Sequence, residues 1–175
     1  MTTTTPVTLA AGQWVVDVED SMATFAVGNL GRTVTGTVPI IDGTVQVGPD
    51  GLPSAISGSL SLSAIDTGHA RRDKDLRKAR LLDLDHHPVS TFVADKISVT
   101  SAGWSVTGYL SVRRTRTRLT GDVEVSPHGD SAALTARTQL DRRALGLRVP
   151  KLIIGHQVDI TVTATIRRLS EPASA

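Results

Sequence analysis

Val158-Asp-Ile-Thr-Val-Thr-Ala-Thr-Ile166 alternates without a fault: Val158, Ile160, Val162, Ala164 and Ile166 fall on one side, and Asp159, Thr161, Thr163 and Thr165 on the other. Successive residues of a strand point to opposite faces, so this segment reads as a long strand with one apolar and one wet face. The same period recurs upstream, in Trp14, Val16 and Val18; in Phe25 and Val27; in Leu60, Leu62 and Ala64 of a strand over 57–65; in Trp104, Val106, Gly108, Leu110 and Val112; in Leu119, Gly121, Val123 and Val125; and in Leu134, Ala136, Thr138 and Leu140. Each run offers a single apolar face. Between Ala94 and Ile97 the phase slips, which predicts a β-bulge near Asp95 and Lys96.

Turn signals separate the runs at short spacing: Asp42-Gly43, Asp50-Gly51-Leu52-Pro53, Ala102-Gly103 and His128-Gly129-Asp130. Short connections make sequential strands antiparallel neighbours. One stretch departs from period 2. Ala70, Leu76, Ala79 and Leu84 lie among many charges closer to helical spacing, predicting one short helix over 69–82, capped by Thr67 or Asp66 and ended before Pro88. The fold class is therefore all-β with one short helix. A sheet of eight or more strands must bury its apolar face, which one helix cannot cover. Closure into an antiparallel barrel does so and removes the edges, with a two-sheet sandwich as the competing solution.

The chain has 175 residues, enough for one domain, with 39% hydrophobic and 21% charged residues and no Cys. Without Cys there are no disulfides, thiolate metal sites or Cys nucleophile. A net charge of +2 is weak support for nucleic-acid binding. Arg113-Arg-Thr-Arg-Thr-Arg118 is the one basic run, and it lacks interleaved aromatics on which bases would stack; it reads as a solvated turn. Tyr109 falls on the polar face and receives no role. No apolar run approaches the length of a membrane-spanning helix, and the N-terminal stretch lacks the pattern of an export signal, so a cytoplasmic location is expected. Aromatic residues make up only 3%, so the inward face is built of Val, Leu, Ile and Ala, and a barrel of about eight strands so lined is filled by side chains or holds one small ligand.

Candidate chemistry is sparse. His86-His87 beside Asp83 and Asp85 is the only cluster with a metal-ligand look, and no third or fourth ligand follows at a suitable spacing. His69, His128 and His156 are scattered. Asp66, His69 and Asp73 could be drawn as an acid–base set, but no nucleophile elbow or phosphate loop accompanies them, and capping explains them more simply. No catalytic residue, metal site or cofactor is assigned.

Several segments, taken in order, resemble the YceI-like family: the Trp14, Asp17 and Ser21 opening; Phe25-Ala-Val27; Val34-Thr-Gly-Thr-Val38; Ile65-Asp-Thr67; Arg72-Asp-Lys-Asp-Leu76; Leu81-Leu-Asp83; His87-Pro-Val-Ser-Thr-Phe92; Val106-Thr-Gly-Tyr-Leu-Ser-Val112; Leu140-Asp-Arg142 with Leu145-Gly146; and the 158–166 strand. The resemblance runs from about Gln13 to Arg167. It implies a lipocalin-like, eight-stranded antiparallel barrel whose tunnel holds a polyisoprenoid or other long apolar chain. This chain has Leu81, His87 and Leu145 where family members commonly carry aromatics, and Asp20 and Asp75 where they commonly carry His, so the resemblance carries over the fold but does not fix which apolar chain is bound. The domain is expected over 13–169, with flexible tails at 1–12 and 170–175.

Combined with the alternation, the resemblance gives the expected ligand-contacting residues: Trp14, Val16, Phe25, Val27, Leu60, Leu62, Phe92, Trp104, Val106, Leu110, Leu134, Ile160 and Val162. The expected activity is non-enzymatic binding, transport or storage of a long-chain isoprenoid or fatty lipid. Nucleic acid and an integral membrane segment are not expected as features, and a homodimer is left open. Two alternatives stand beside this reading: an enzyme acting on such a lipid, with Asp66, His69 or Asp73 as acid or base, and a packed barrel serving as a protein-interaction module.

Overall fold

The computed structural model describes residues 6–29, 32–78, 82–145 and 157–169. Within these residues, nine antiparallel strands form one sheet: β1 (Gly12–Val16), β2 (Met22–Asn29), β3 (Arg32–Val47), β4 (Pro53–Ser61), β5 (Val89–Val99), β6 (Gly103–Val112), β7 (Thr115–His128), β8 (Ser131–Asp141) and β9 (Gln157–Arg168). The ring runs β3-β2-β9-β8-β7-β6-β5-β4 and closes through β3–β4, giving an eight-stave barrel without a free edge. The ninth strand does not widen it. β2 pairs with β3 over 32–39 and with β9 over 158–163, while β1 pairs with β3 over 44–47 and with β9 over 166–168. β1 and β2 are thus two halves of one broken stave.

The break is knitted by the residues of the Trp14, Asp17 and Ser21 opening. Asp17 caps a 3₁₀ turn over Val18–Asp20 by accepting from Glu19 N–H at 3.2 Å. Ser21 Oγ donates to the Asp17 carbonyl at 2.6 Å and accepts from Thr165 N–H at 3.1 Å, tying the break to β9. Val18, which alternation placed inward with Trp14 and Val16, lies on this turn and is exposed.

The bulge expected near Asp95 is present, as a register shift between Ala94 and Lys96 opposite Gly108 and Thr107. The backbones approach closely there: a Cβ on Gly108 would lie 2.3 Å from the Val93 carbonyl oxygen and 2.7 Å from Phe92 Cζ. Gly108→Ala is therefore expected to destabilise the barrel by about 1–3 kcal/mol, as overpacking does, measured as a lower midpoint in urea. Gly121→Ala, whose nearest atom would be at 3.1 Å, is expected to cost less.

Four local expectations are corrected. Asp42-Gly43 is not a turn but part of the continuous β3, where a register shift between Ile40 and Asp42 absorbs the irregularity. The strand read over 57–65 ends at Ser61, because Leu62 and Ser63 donate their N–H groups to the Pro88 carbonyl and Leu62–Ala64 wind into a 3₁₀ turn. The helix, α1, covers only Ala70–Leu76, and its cap is His69, whose Nδ1 accepts from Arg72 N–H at 3.3 Å. Asp66 accepts from Gly68 N–H instead, and Thr67 donates to Asp73. Finally, the stretch read as a tail over 1–12 is packed in part: Leu9 is buried, and its N–H reaches the Gly51 carbonyl at 3.0 Å. Residues 1–5 and 170–175, Ala79, Leu81, Gly146 and His156 lie outside the described residues. Among the described residues, no helix is long and apolar enough to cross a membrane.

Candidate functional site: an apolar lumen

The two ends of the barrel differ. At one end the connections are short, over 48–52, 100–102 and 129–130. A cluster of Trp14, Trp104, Leu9, Val45, Val47, Val123, Val125 and Ile166 fills this end and forms a floor. Both indoles are fully buried. Trp14 Nε1–H donates to the Ala10 carbonyl at 2.9 Å, so the segment before β1 helps to hold the floor in place. At the other end the long 62–88 connection folds over the barrel, and Leu62, Leu82 and Leu84 pack with Ala23, Val38, Leu110, Val112 and Leu140.

Between floor and mouth lies a cavity of about 230 Å³. Its wall includes nine of the thirteen residues expected from sequence: Val16, Leu60, Phe92, Trp104, Val106, Leu110, Leu134, Ile160 and Val162. Four are elsewhere. Trp14 lies in the floor; Phe25 packs with the mouth-end cluster, its ring against Gly36; Val27 is buried at the mouth end of β2; and Leu62 sits on the 3₁₀ turn in the mouth-end cluster. The wall also holds Ile40, Val45, Ile56, Leu119, Val123, Ala136 and Ala164, none of them among the expected contacts. Period 2 marks most of these: Ile56 continues Gly58 and Leu60, and Ile40 continues Gly36 and Val38.

The interior is hollow rather than filled. Leu60, Phe92, Leu119, Leu134, Ile160 and Val162 point inward yet are only half-buried. In a side-chain-filled barrel such positions would be closed off, since interiors pack like organic crystals. Two inward positions facing each other across β3 and β4 are glycines, Gly43 and Gly58, and a Cβ on Gly43 would fall 2.5 Å from Val16 Cγ2. Val16 of the broken stave occupies that gap.

The acid–base candidates lie outside the lumen wall. Asp73 accepts from Thr67 N–H at 3.0 Å and from its hydroxyl at 2.6 Å; Asp66 and His69 serve the turn and the helix cap. Among the described residues, no group of three His, Asp or Glu is placed to hold a metal ion. The basic run splits at a hairpin. Arg113 takes a left-handed backbone (φ 57°), Arg116 lies over the Tyr109 ring at 4.6 Å, and Arg118 donates to the Tyr109 hydroxyl at 3.2 Å and pairs with Asp95 at 3.1 Å. Tyr109 thus anchors arginines on the outer wall, a contact that alternation alone did not reveal.

Asp83, itself in the left-handed region (φ 49°), accepts the N–H groups of His86 and His87 through its carbonyl, and its carboxylate lies 2.9 Å from His86 Nδ1. That hydrogen bond, reinforced by the attraction of the two charges, raises the His86 pKa above the ordinary 6.5 and lowers that of Asp83. The raised imidazole contributes stability below pH 6.5 and loses it as pH rises through the shifted value. The lowered carboxyl contributes above its ordinary range and loses it as pH falls through its own. The turn is therefore held best between these limits. An NMR titration is expected to place the His86 midpoint above 6.5, and Asp83→Asn to bring it down.

The molecule is a closed antiparallel barrel of eight staves, floored at one end and enclosing an apolar lumen. Its sequence from residue 14 to 166 matches the YceI-like domain, and the chain belongs to that family. Among relatives, it is 30% identical over 80 residues to a UPF0312 protein of Pectobacterium carotovorum, covering 45% of this chain and 42% of that one. It is 28% identical over 125 residues to protein YceI of Salmonella arizonae, covering 69% and 65%. The match thus spans less than two thirds of either relative. Among solved structures, BcnA of Burkholderia cenocepacia superposes with a TM-score of 0.75 at 17% identity, covering 86% of this chain and 98% of that one. A polyisoprenoid binding domain from Saccharophagus degradans does so with a TM-score of 0.66 at 12% identity, covering 89% and 98%.

Proposed function

We propose that this protein binds a single apolar lipid chain, isoprenoid or fatty, in its lumen and carries or stores it without chemical change. The hollow interior carries this reading: a cavity of about 230 Å³ in the middle of a closed sheet, its wall mainly Leu, Ile, Val and Ala, with Asp42, Thr44, Ser57, Ser59 and Thr138 the polar residues that border it. Leaving so many inward side chains half-covered forgoes about 25 cal/mol for each Å² not buried, a cost that a chain in the lumen recovers. The Saccharophagus degradans neighbour, a polyisoprenoid binding domain of the same fold, supports an isoprenoid as one such chain. The non-catalytic part rests on Asp66, His69 and Asp73, which are absent from the cavity wall and engaged in local turns.

Capacity follows from volume. At about 30 Å³ for each water- or methylene-sized unit, the enclosed space of about 230 Å³ takes about eight carbons, and the rest of a longer chain extends toward the mouth. At about 0.8 kcal/mol per buried CH₂, eight carbons contribute about 6 kcal/mol before association costs of at least about 4 kcal/mol, so affinity is modest.

Solvent extraction of the purified protein followed by mass spectrometry is expected to release one apolar lipid per chain. Incubation with isoprenoid quinone, polyprenyl phosphate or fatty ester is expected to leave each unchanged. Protein that carries no lipid and takes up none of these would overturn the binding reading, and turnover of any of them would overturn the non-catalytic one.

A further inference from the structure

One buried polar group beside the lumen is unpaired. Among the described residues, Trp104 Nε1 is the buried side-chain nitrogen or oxygen without a hydrogen-bond partner. Buried polar groups are almost always paired, and an unpaired one needs a reason. Other buried polar side chains of this barrel follow the rule: Ser90 Oγ donates to the Ser111 carbonyl at 2.7 Å, and Ser21 Oγ to that of Asp17. The comparison with Trp14 is closer still. Both indoles are fully buried and belong to one cluster, but Trp14 donates to Ala10 whereas Trp104 has no acceptor. Trp104 is also the one of the two that forms part of the cavity wall.

Nothing in its surroundings supplies the missing partner. The side chains clustered with it, such as Val45, Val106, Val123 and Ile166, carry no acceptor. Water is a poor substitute, since a buried water needs two to four polar partners and the side chains clustered around the ring offer none. The nitrogen also has almost no accessible surface, so an acceptor reaches it only if the ring tips toward the lumen as a chain end presses on the floor.

We propose that Trp104 Nε1–H is a ligand contact, and that the chain held in the lumen carries a neutral acceptor oxygen, a carbonyl above all, at the end that enters first. This rests on the lumen reading above and deepens it by fixing the ligand's orientation and one of its functional groups. A charged leading end does not fit, because no Lys or Arg lines the cavity and an unpaired ion there would be stripped of water. Satisfying a buried donor is worth about a tenfold gain in affinity.

The test uses two isomers, 2-nonanone and 5-nonanone, which share a formula and nearly the same hydrophobicity, with nonane as the reference. In calorimetric titrations of the full chain, 2-nonanone is expected to bind about tenfold more tightly than 5-nonanone, and Trp104→Phe to bind the two alike. In ¹H–¹⁵N spectra the two tryptophans give two indole signals, assigned with Trp14→Phe, and 2-nonanone is expected to move the Trp104 signal downfield well beyond the change caused by nonane. If the isomers bind within twofold and the Trp104 signal responds to nonane and 2-nonanone alike, the proposal is overturned while lipid binding stands. If neither ketone nor nonane binds, both readings fall. Should Trp104→Phe not fold, the two wild-type measurements decide the matter.

Discussion

Leu134→Asp is expected to lower lipid affinity by about 100-fold or more while the barrel still folds. Leu134 points into the lumen from β8, with the neighbours Val125 and Ala164 across the ladder, and it is half-buried because the space before it is empty. In the unoccupied barrel, water can enter and hydrate the new carboxylate. A bound chain must displace that water and leave an ion against hydrocarbon with no cation within the lining, so the penalty falls on the complex more than on the fold. The lost contacts of the leucine cost the fold about 2–3 kcal/mol, which thermal melting followed by circular dichroism measures separately. Ala133→Asp, one residue away and on the exposed face, is the matched control and is expected to leave uptake unchanged. Equal losses in the two variants would mean that alternation does not separate a binding face from an outer one.

Trp14→Ala is expected to be the most destabilising single change in the molecule, by about 3–5 kcal/mol, or a fall in melting temperature of roughly 6–20 °C. Trp14 is fully buried in the floor, pairs with Val45 and Arg168 across the ladders, and holds the preceding segment through Ala10. Its removal leaves a void under the lumen and releases the Ala10 carbonyl. Where the variant still folds, the lumen deepens and the longest chain accepted becomes longer. A variant that melts within 2 °C of the wild type would show that the floor is not what closes this end.

Period 2 made the barrel readable because a strand with one wet face records its pleat in every second residue, and β6, β8 and β9 carry that record almost unbroken. What alternation does not record is position along the barrel axis. Trp14 and Leu62 are both buried, yet one lies in the floor and the other in the cover, with the cavity between them. Depth is set by register with distant strands, such as Trp14 against Arg168, and no local pattern encodes it. The broken stave was hidden for the same reason: the segments around Trp14 and Phe25 each read as a strand, but only their shared partners, β3 and β9, make them one. Asp42-Gly43 misled because glycine serves a bulge and a close side-chain approach as readily as a turn. The His69 cap replaced the more familiar Asp or Thr, whose side chains bond to the turn and to Asp73. Trp104's missing partner is a property of the assembled core, invisible to any sequence pattern.

Whether the apolar lumen takes one chain is decided by titrating the protein with a homologous series of n-alkyl ligands of four to fourteen carbons. Saturable binding of one ligand per chain is expected, tightening about fourfold with each added carbon as about 0.8 kcal/mol per methylene requires, then levelling near eight carbons when the cavity of about 230 Å³ is full. Binding that never saturates, or affinity that keeps rising with length as partition into oil does, would contradict it.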